Sequence, residues 1–173
     1  MQKIYKIAET EKVFIAYDDL QRAGGIQGLY TIDPRAGPLI VLDLSLLSQP
    51  KLHRCIAAHE LGHHFCPPRS NATTFVAFYR GNQYSTNSQI IVGQDEHRAL
   101  KWATELLMPS PKVWAAIKDG HNTIPLLSDY FMVTEWFVRA KIGYMRREWR
   151  DRGRKLKWRD IIYRETTANA AYR

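Results

Sequence analysis

The segment His59-Glu60-Leu61-Gly62-His63 combines residue types and spacing that suit metal-assisted hydrolysis. Residues i and i+4 lie one above the other on a helix, so two imidazoles at this spacing can bind one ion. A glutamate directly after the first histidine points beside that face and can reach a water on the ion without being a ligand. Zinc lowers the pKa of such a water toward about 7, and the carboxylate accepts its proton. The pattern predicts Zn2+ bound by His59 and His63, with Glu60 as general base.

A catalytic zinc needs a third protein ligand, which this segment does not supply. Three consecutive residues further along the chain are candidates: Asp95, Glu96 and His97. Glu96 shares a helical face with Ala99 and Ala103, where a charge is costly unless it is paired or bound to metal. Asp95 lines up with Ala99 as well, whereas His97 points away from this stripe. Helical periodicity favours Glu96 and leaves the other two open.

The remaining histidines and cysteines near the motif are expected to serve the fold. His64 follows His63 but points about 100° away around the helix. His53 lies too far from the motif to share its ion. Cys66 and Cys55 are expected to be small buried apolar side chains.

The motif itself is expected on a helix that begins after Ser48, the predicted N-cap, with Pro50 in the first turn. Pro67 and Pro68 would end this helix near residue 65. Before it, residues 13–17, 26–32 and 39–42 have the composition of short strands, separated by glycine and proline turns. These strands predict a small antiparallel sheet at the N-terminus.

After the motif the sequence is mostly helical. A long helix is predicted over residues 95–108, and shorter ones begin at Ser110, Thr123 and Thr134. Residues 73–80 and 90–92 are predicted as a further pair of strands. The expected architecture is an α+β, zincin-like fold with an N-terminal sheet, an active-site helix and a helical C-terminal half. We divide it into residues 1–122 and a helical segment with a basic tail, residues 123–173.

The composition is that of an ordinary folded protein. The chain has 173 residues, of which 45% are hydrophobic and 24% are charged. With only 2 cysteines and no C-x-x-C pair, no disulfide framework is expected. The first residues are interrupted by charges, and no apolar run is long enough to cross a membrane. We therefore expect a cytoplasmic protein without membrane contact.

Basic residues are concentrated between residues 139 and 159, and they account for the net charge of +8. The preceding residues 124–142 have the pattern of a helix-turn-helix unit. If this unit binds DNA, residues 134–159 would form the contact, with four side chains near the groove: Thr134, Glu135, Trp136 and Arg139. The alternative is a helical pair that packs on the rest of the protein or docks a substrate. Trp136 at the start of the second helix suits packing better than base recognition.

Several segments in order resemble the ImmA/IrrE family of zinc metallopeptidases. Gly28-Leu29-Tyr30 and Leu39-Ile-Val-Leu42 are similar to the family's N-terminal strands, and residues 56–65 are similar to its zinc helix. Residues 96–109 resemble a second signature, in which a glutamate is followed by an aromatic-Ala pair and Leu-Leu-Met-Pro. The resemblance covers most of residues 26–142.

The resemblance implies that Glu96 is the third zinc ligand. Family members commonly have a second glutamate two residues later, where this chain has Arg98. Members similar to ImmA cleave a helix-turn-helix repressor of a phage or mobile element, and members similar to IrrE act in stress regulation. We therefore expect a zinc endopeptidase with a repressor protein as substrate. The alternative is a zinc-containing regulator that binds DNA or protein without proteolysis. Three residues are candidates for the oxyanion donor: Tyr79, Tyr84 and His121.

Overall fold

A short helix, a small sheet and then a run of helices make up the described fold, and the first helix was not predicted. The computed structural model describes residues 1–20, 25–67 and 86–153, with side chains from residue 92 onward in the last range. Within these ranges the elements are, in order, α1 (Gln2–Thr10), β1 (Phe14–Asp18), β2 (Gly28–Asp33), β3 (Gly37–Asp43), a 3-10 helix (Leu44–Ser48), α2 (Pro50–Phe65), α3 (Thr86–Leu107), α4 (Ser110–Lys118), α5 (Ile124–Phe131) and α6 (Glu135–Asp151). The α+β class and the helical C-terminal half are confirmed. No helix in these ranges has the length and apolarity needed to cross a membrane.

The sheet is mixed, so the prediction of an antiparallel sheet is wrong for one strand pair. Its order is β1-β3-β2. Strands β2 and β3 form the expected antiparallel hairpin, while β1 pairs with β3 in parallel. In the hairpin turn the Asp33 carboxylate accepts the backbone N–H groups of Arg35 and Ala36. Strand β1 lies on the other side of β3 from β2.

The start of α2 also differs from the prediction. Ser48 ends the preceding 3-10 helix, where its hydroxyl donates to the Ser45 carbonyl oxygen, and Gln49 is the N-cap of α2. The 3-10 helix has its own cap: the buried Asp43 carboxylate accepts the backbone N–H of Ser45. Pro50 occupies the first turn of α2 as predicted, where no backbone N–H is needed.

Helix α3 is longer than predicted and begins at Thr86. Residues 90–92, predicted as a strand, belong to this helix. A short run of β-branched residues is compatible with a strand and with a buried helical turn, so the sequence pattern does not distinguish the two. Val92 is 1% exposed, as expected for a helix packed on the core. The partner strand predicted at residues 73–80 lies outside the described residues.

The C-terminal helices pack on the same core as the motif helix. Leu127, Phe137 and Val138 are fully buried in a hydrophobic cluster that also contains Ala57 and Leu61 of α2. Thr123 caps α5 as predicted, since its hydroxyl accepts the Leu126 backbone N–H. The core therefore includes residues from both sides of the division drawn at residue 122.

Candidate metal centre

Helix α2 places the two motif histidines on one face. The rings of His59 and His63 lie 4.9 Å apart between centroids, with an interplanar angle of 79°. His63 is buried and His59 is half-buried. The i, i+4 spacing thus gives the arrangement that the sequence predicts.

Glu96 of α3 meets both histidines. Its Oε2 lies 3.0 Å from His59 Nε2 and its Oε1 lies 3.1 Å from His63 Nε2. One ligand atom from each of the three side chains can be chosen so that all lie within 4.8 Å of one another. Two imidazole nitrogens and a carboxylate oxygen at this separation could hold one divalent metal ion.

Asp95 and His97, the two other candidates for the third ligand, contact residues outside this group. Asp95 is 1% exposed and pairs with Arg98 Nη2 at 2.7 Å. The His97 ring packs edge-on against Tyr144, 5.0 Å away between centroids. Arg98, which stands where related sequences commonly have a glutamate, therefore has a local role as the partner of a buried carboxylate.

A glycine allows α3 to approach the motif closely. A Cβ added at Gly62 would lie 2.5 Å from the Ala99 carbonyl oxygen, a distance that side chains do not tolerate. The absence of a side chain at this position lets the backbones of α2 and α3 touch one helical turn from Glu96.

The pKa values of the candidate ligands depend on one another, because Glu96 lies within hydrogen-bond distance of both histidines. Burial would raise the pKa of Glu96, but hydrogen bonds from His59 and His63 lower it to about 2. Burial would lower the pKa of His59, but its hydrogen bond to Glu96 and the negative charges of Glu60 and Glu96 raise it above the ordinary value. The cluster therefore favours a carboxylate next to a positive charge, which a metal ion can supply in place of a proton.

Glu60 is buried beside this cluster. It is 4% exposed, and burial raises its pKa, with the charge of Glu96 adding to the effect. The Tyr30 backbone N–H of β2 donates to its carboxylate. Glu60 Oε2 is buried and has no hydrogen-bond partner among the described residues. A buried carboxylate oxygen without a partner is costly, and a water on a neighbouring metal ion would satisfy it.

Strand β2 lies directly against Glu60. A Cβ at Gly28 would be 2.7 Å from Ile56 Cγ2 and 2.8 Å from Glu60 Cγ, so only glycine fits there. A cavity of about 330 Å3 opens next to this contact. It is lined by residues 25–28 and by Ile56, His59, Glu60, Glu96, Leu100 and Trp136. Two of the three candidate ligands, His59 and Glu96, thus line the same cavity as Glu60.

The other histidines and cysteines have partners in the fold. His64 Nδ1 shares a hydrogen bond of 3.2 Å with the Tyr30 hydroxyl, and His53 Nε2 shares one of 2.9 Å with the Tyr17 hydroxyl. Cys55 is fully buried, as predicted, while Cys66 is half-buried. These residues are not members of the metal-ligand group found in the described part of the chain.

Of the three candidates for the oxyanion donor, two cannot be placed. Tyr79 and Tyr84 lie outside the described residues. The His121 ring contacts Tyr130, 4.5 Å away between centroids, and does not line the cavity. Sequence reasoning missed two contributors to the site: the backbone of Tyr30 and the side chain of Trp136. Neither has a local signal, because each reaches the site through tertiary packing.

The chain was compared with families and with known proteins. The M78 peptidase family, described as an IrrE N-terminal-like domain, matches residues 15–142, which is most of the chain. Neither a curated protein nor a solved structure matches at a significant level. The matched region contains all three sheet strands from Ile15 onward, the motif helix and Glu96. The chain therefore belongs to the M78 family of peptidases.

Proposed function

We propose that this protein is a zinc-dependent endopeptidase in which His59, His63 and Glu96 bind zinc and Glu60 is the general base. One observation carries the proposal. Three side chains from two helices meet around one point, and beside them the buried Glu60 has a carboxylate oxygen with no partner among the described residues. Membership of a metallopeptidase family supports the same chemistry. Two histidines and one carboxylate, with a further position open, form a typical ligand set for catalytic zinc.

Zinc bound there would polarise the scissile carbonyl and lower the pKa of the attacking water. Glu60 Oε2 would accept a proton from the attacking water as the water oxygen bonds to the carbonyl carbon. The same carboxyl group would then give the proton to the departing nitrogen, so that the C–N bond breaks and an acid and an amine are formed. Burial favours this role, because it raises the pKa of Glu60 toward the range in which a carboxylate is an effective base.

The substrate would be a protein in the same compartment, and we propose the cytoplasm. Within the described sheet, β2 is an edge strand, and residues 25–28 at its start line the cavity. An extended peptide can add to such an edge through backbone hydrogen bonds. The resemblance to ImmA supports a helix-turn-helix repressor of a phage or mobile element as the peptide's source.

The test is cleavage of such a repressor by the wild-type chain and by Glu60→Gln. The two proteins are co-expressed with the helix-turn-helix repressor encoded nearest to this gene, and mass spectrometry identifies the products. We expect Glu60→Gln to retain zinc and to lower the cleavage rate by about 10²–10⁴-fold, the usual contribution of a general base. Glu105→Gln, on α3 but outside the metal-ligand group, is the matched control and should cleave normally. Normal cleavage by Glu60→Gln would refute the proposed mechanism.

A second candidate function is DNA binding by the basic end of α6. Arg146, Arg147, Arg150 and Arg152 are exposed there. Of the four side chains predicted near a DNA groove, however, Thr134 contacts Cys55, Trp136 lines the cavity, and Glu135 and Arg139 form an ion pair of 3.3 Å. If these arginines contact phosphates, affinity for duplex DNA should fall steeply with salt. Absence of binding at low salt would remove this candidate.

A further inference from the structure

The cavity at the metal cluster has a reactive wall and an apolar wall. His59, Glu60 and Glu96 form the reactive side. The apolar side is formed by Ile56, Leu100 and Trp136. Ile56 of α2 lies next to Gly28, Leu100 follows Glu96 by one turn of α3, and Trp136 is in the first turn of α6. At about 330 Å3, the cavity is at the small end of ligand pockets, a size for one or two side chains.

Trp136 is the unusual member of this wall, because it is large and 42% exposed. Its exposure has a structural cause. Two residues before it, Thr134 donates its backbone N–H and its hydroxyl to the Cys55 sulfur, at 3.4 and 3.6 Å. Cys55 is fully buried on α2, next to Ile56. The start of α6 is thereby fixed against the motif helix, close to the reactive residues.

The next residue holds the indole from the other side. The rings of Trp136 and Phe137 meet edge-on, 5.4 Å apart between centroids, and Phe137 is fully buried. The Trp136 ring is thus supported by the core while a large part of its surface remains in contact with solvent. An aromatic side chain held in this way offers apolar area at little cost in conformational entropy.

The charges around the cavity argue against an acidic occupant. No lysine or arginine lines it in the part of the chain that the structure describes, and both carboxylates on its wall, Glu60 and Glu96, would repel a negative group. Glu96 lies 3.0 and 3.1 Å from the two histidines, and Glu60 accepts the Tyr30 backbone N–H. The remaining oxygen, Glu60 Oε2, is the one that the proposed mechanism assigns to the attacking water, so a basic side chain of the substrate would gain little here. An apolar side chain would gain the most from Ile56, Leu100 and Trp136.

We propose that Trp136, with Ile56 and Leu100, forms the pocket that receives a large apolar side chain of the substrate next to the scissile bond. Trp136 is thus a specificity-determining residue. It is supplied by α6, the second helix of the segment that has the sequence pattern of a helix-turn-helix unit. This inference rests on the proposed peptidase function, since it assumes that a peptide lies across the metal cluster. It assigns α6 a direct part in substrate selection.

The test uses defined metal-binding probes with the full chain loaded with zinc. The probes are hydroxamates of the form HONH–CO–CH2–CH(R)–CO–NH2, in which R is hydrogen, isobutyl, benzyl, aminobutyl or carboxyethyl. Their Kd values are measured by titration calorimetry. We expect the isobutyl and benzyl compounds to bind the wild type about tenfold or more tightly than the compound with hydrogen, as filled apolar pockets typically give. The carboxyethyl compound should gain nothing over hydrogen.

Trp136→Ala should retain zinc and reduce the advantage of the apolar probes to about threefold or less. Trp136→Phe, which keeps an aromatic wall of smaller area, should lie between the two. The matched control is Tyr130→Ala, an aromatic residue of α5 that is 52% exposed and does not line the cavity; it should keep the wild-type preference. If Trp136→Ala does not fold, the Phe variant and the wild-type series still decide.

Two results would overturn the inference: an unchanged apolar preference in the Trp136 variants, or tightest binding of a charged probe to the wild type. The outcomes also separate the inference from the proposed function. A protein that shows the Trp136-dependent preference but cleaves no protein would keep the pocket and lose the peptidase function. A protein that cleaves a repressor with no dependence on Trp136 would keep the peptidase function and lose the pocket.

Discussion

Two clusters of buried charge differ in how they are satisfied. On one side of α3, Lys141 of α6 is 2% exposed, and its ammonium pairs with Glu105 and donates to Ser110 Oγ at 2.9 Å. On the other side, Glu96 meets two histidines, while Glu60 Oε2 has no partner among the described residues. The first cluster satisfies its charge within the protein. The second leaves a reactive atom facing a cavity.

Cavity size alone would have favoured the wrong cluster. The cavity beside Lys141 is about 550 Å3, larger than the one at the metal cluster. Four of the five charged residues that line it form ion pairs, since Lys101 contacts Glu148 at 3.0 Å and Lys141 contacts Glu105. Paired charges stabilise a fold and leave little for a ligand, whereas a buried group without a partner needs one. A buried polar atom without a hydrogen-bond partner is therefore a better guide to function in this chain than cavity volume.

The largest effect is expected from removing the third member of the metal cluster. Glu96→Ala leaves two histidines, which is too few protein ligands for a catalytic zinc. The zinc content should fall from about one per chain to near zero, and cleavage should be lost. Metal analysis of the purified protein measures this. Glu105→Ala, a glutamate of the paired cluster on the same helix, should keep its zinc. Equal metal loss in both variants would erase the proposed distinction.

A smaller effect is expected where α2 and α3 touch. In Gly62→Ala the new Cβ would lie 2.5 Å from the Ala99 carbonyl oxygen, so the helices must separate. We expect a loss of about 1–3 kcal/mol in the free energy of unfolding of the metal-free protein, and weaker zinc binding. Gly143→Ala is the matched control, because a Cβ there meets no atom within 4 Å. That helical substitution should stabilise the protein by up to about 1 kcal/mol. Denaturant unfolding distinguishes the two.

The smallest effect is expected from neutralising the paired cluster. Lys141→Met removes the ammonium but keeps much of the volume, and replacing a buried ion pair by apolar groups is often neutral. Glu105 is 55% exposed at its side chain, so water can replace the lost partner. Zinc content and cleavage should not change. A loss of activity comparable to that of Glu60→Gln would show that this cluster also serves catalysis.

The same substitution has a consequence for acid stability. Burial raises the pKa of Glu105, but the hydrogen bond from Lys141 has the opposite effect, and the pKa lies below its ordinary value. A carboxyl group whose pKa is lower in the folded state stabilises the protein above its unfolded pKa, and this contribution is lost as the pH falls through the folded value. Lys141→Met should therefore flatten the decline in stability on the acidic side. Unfolding measured from neutral to acidic pH, in the metal-free state, tests the direction.

Local chemistry was the predictable part of the site. The spacing of His59 and His63 defines their common face whatever the tertiary fold. Glu96 could be ranked above Asp95 only weakly from periodicity, since both positions lie near the same stripe. The difference between them is made by Arg98, which pairs with Asp95, and by the close approach of α3 to α2 at Gly62 and Ala99.

Tertiary contacts account for what the sequence did not reveal. Strand β1 pairs with β3 in parallel, on the side that β2 leaves open, and this pairing joins segments that no tight turn connects in sequence. Trp136 reaches the cavity because Thr134 contacts Cys55, far away in the sequence. Helix α1 did have a signal that was overlooked: Ile4 and Ala8, one turn apart, are its buried residues. One pair of apolar residues at helical spacing among charged residues is a weak signal for a helix, and this helix is stabilised mainly by its packing on the core.

The central claim is that one zinc ion is bound by His59, His63 and Glu96. Crystals of the zinc-loaded protein, measured at the zinc absorption edge, test this most directly through the anomalous difference map. We predict one peak at about 2.0–2.2 Å from a nitrogen of each histidine and an oxygen of Glu96, with Glu60 near it but not bound. A peak coordinated by other residues, or none in zinc-loaded crystals, would contradict the account.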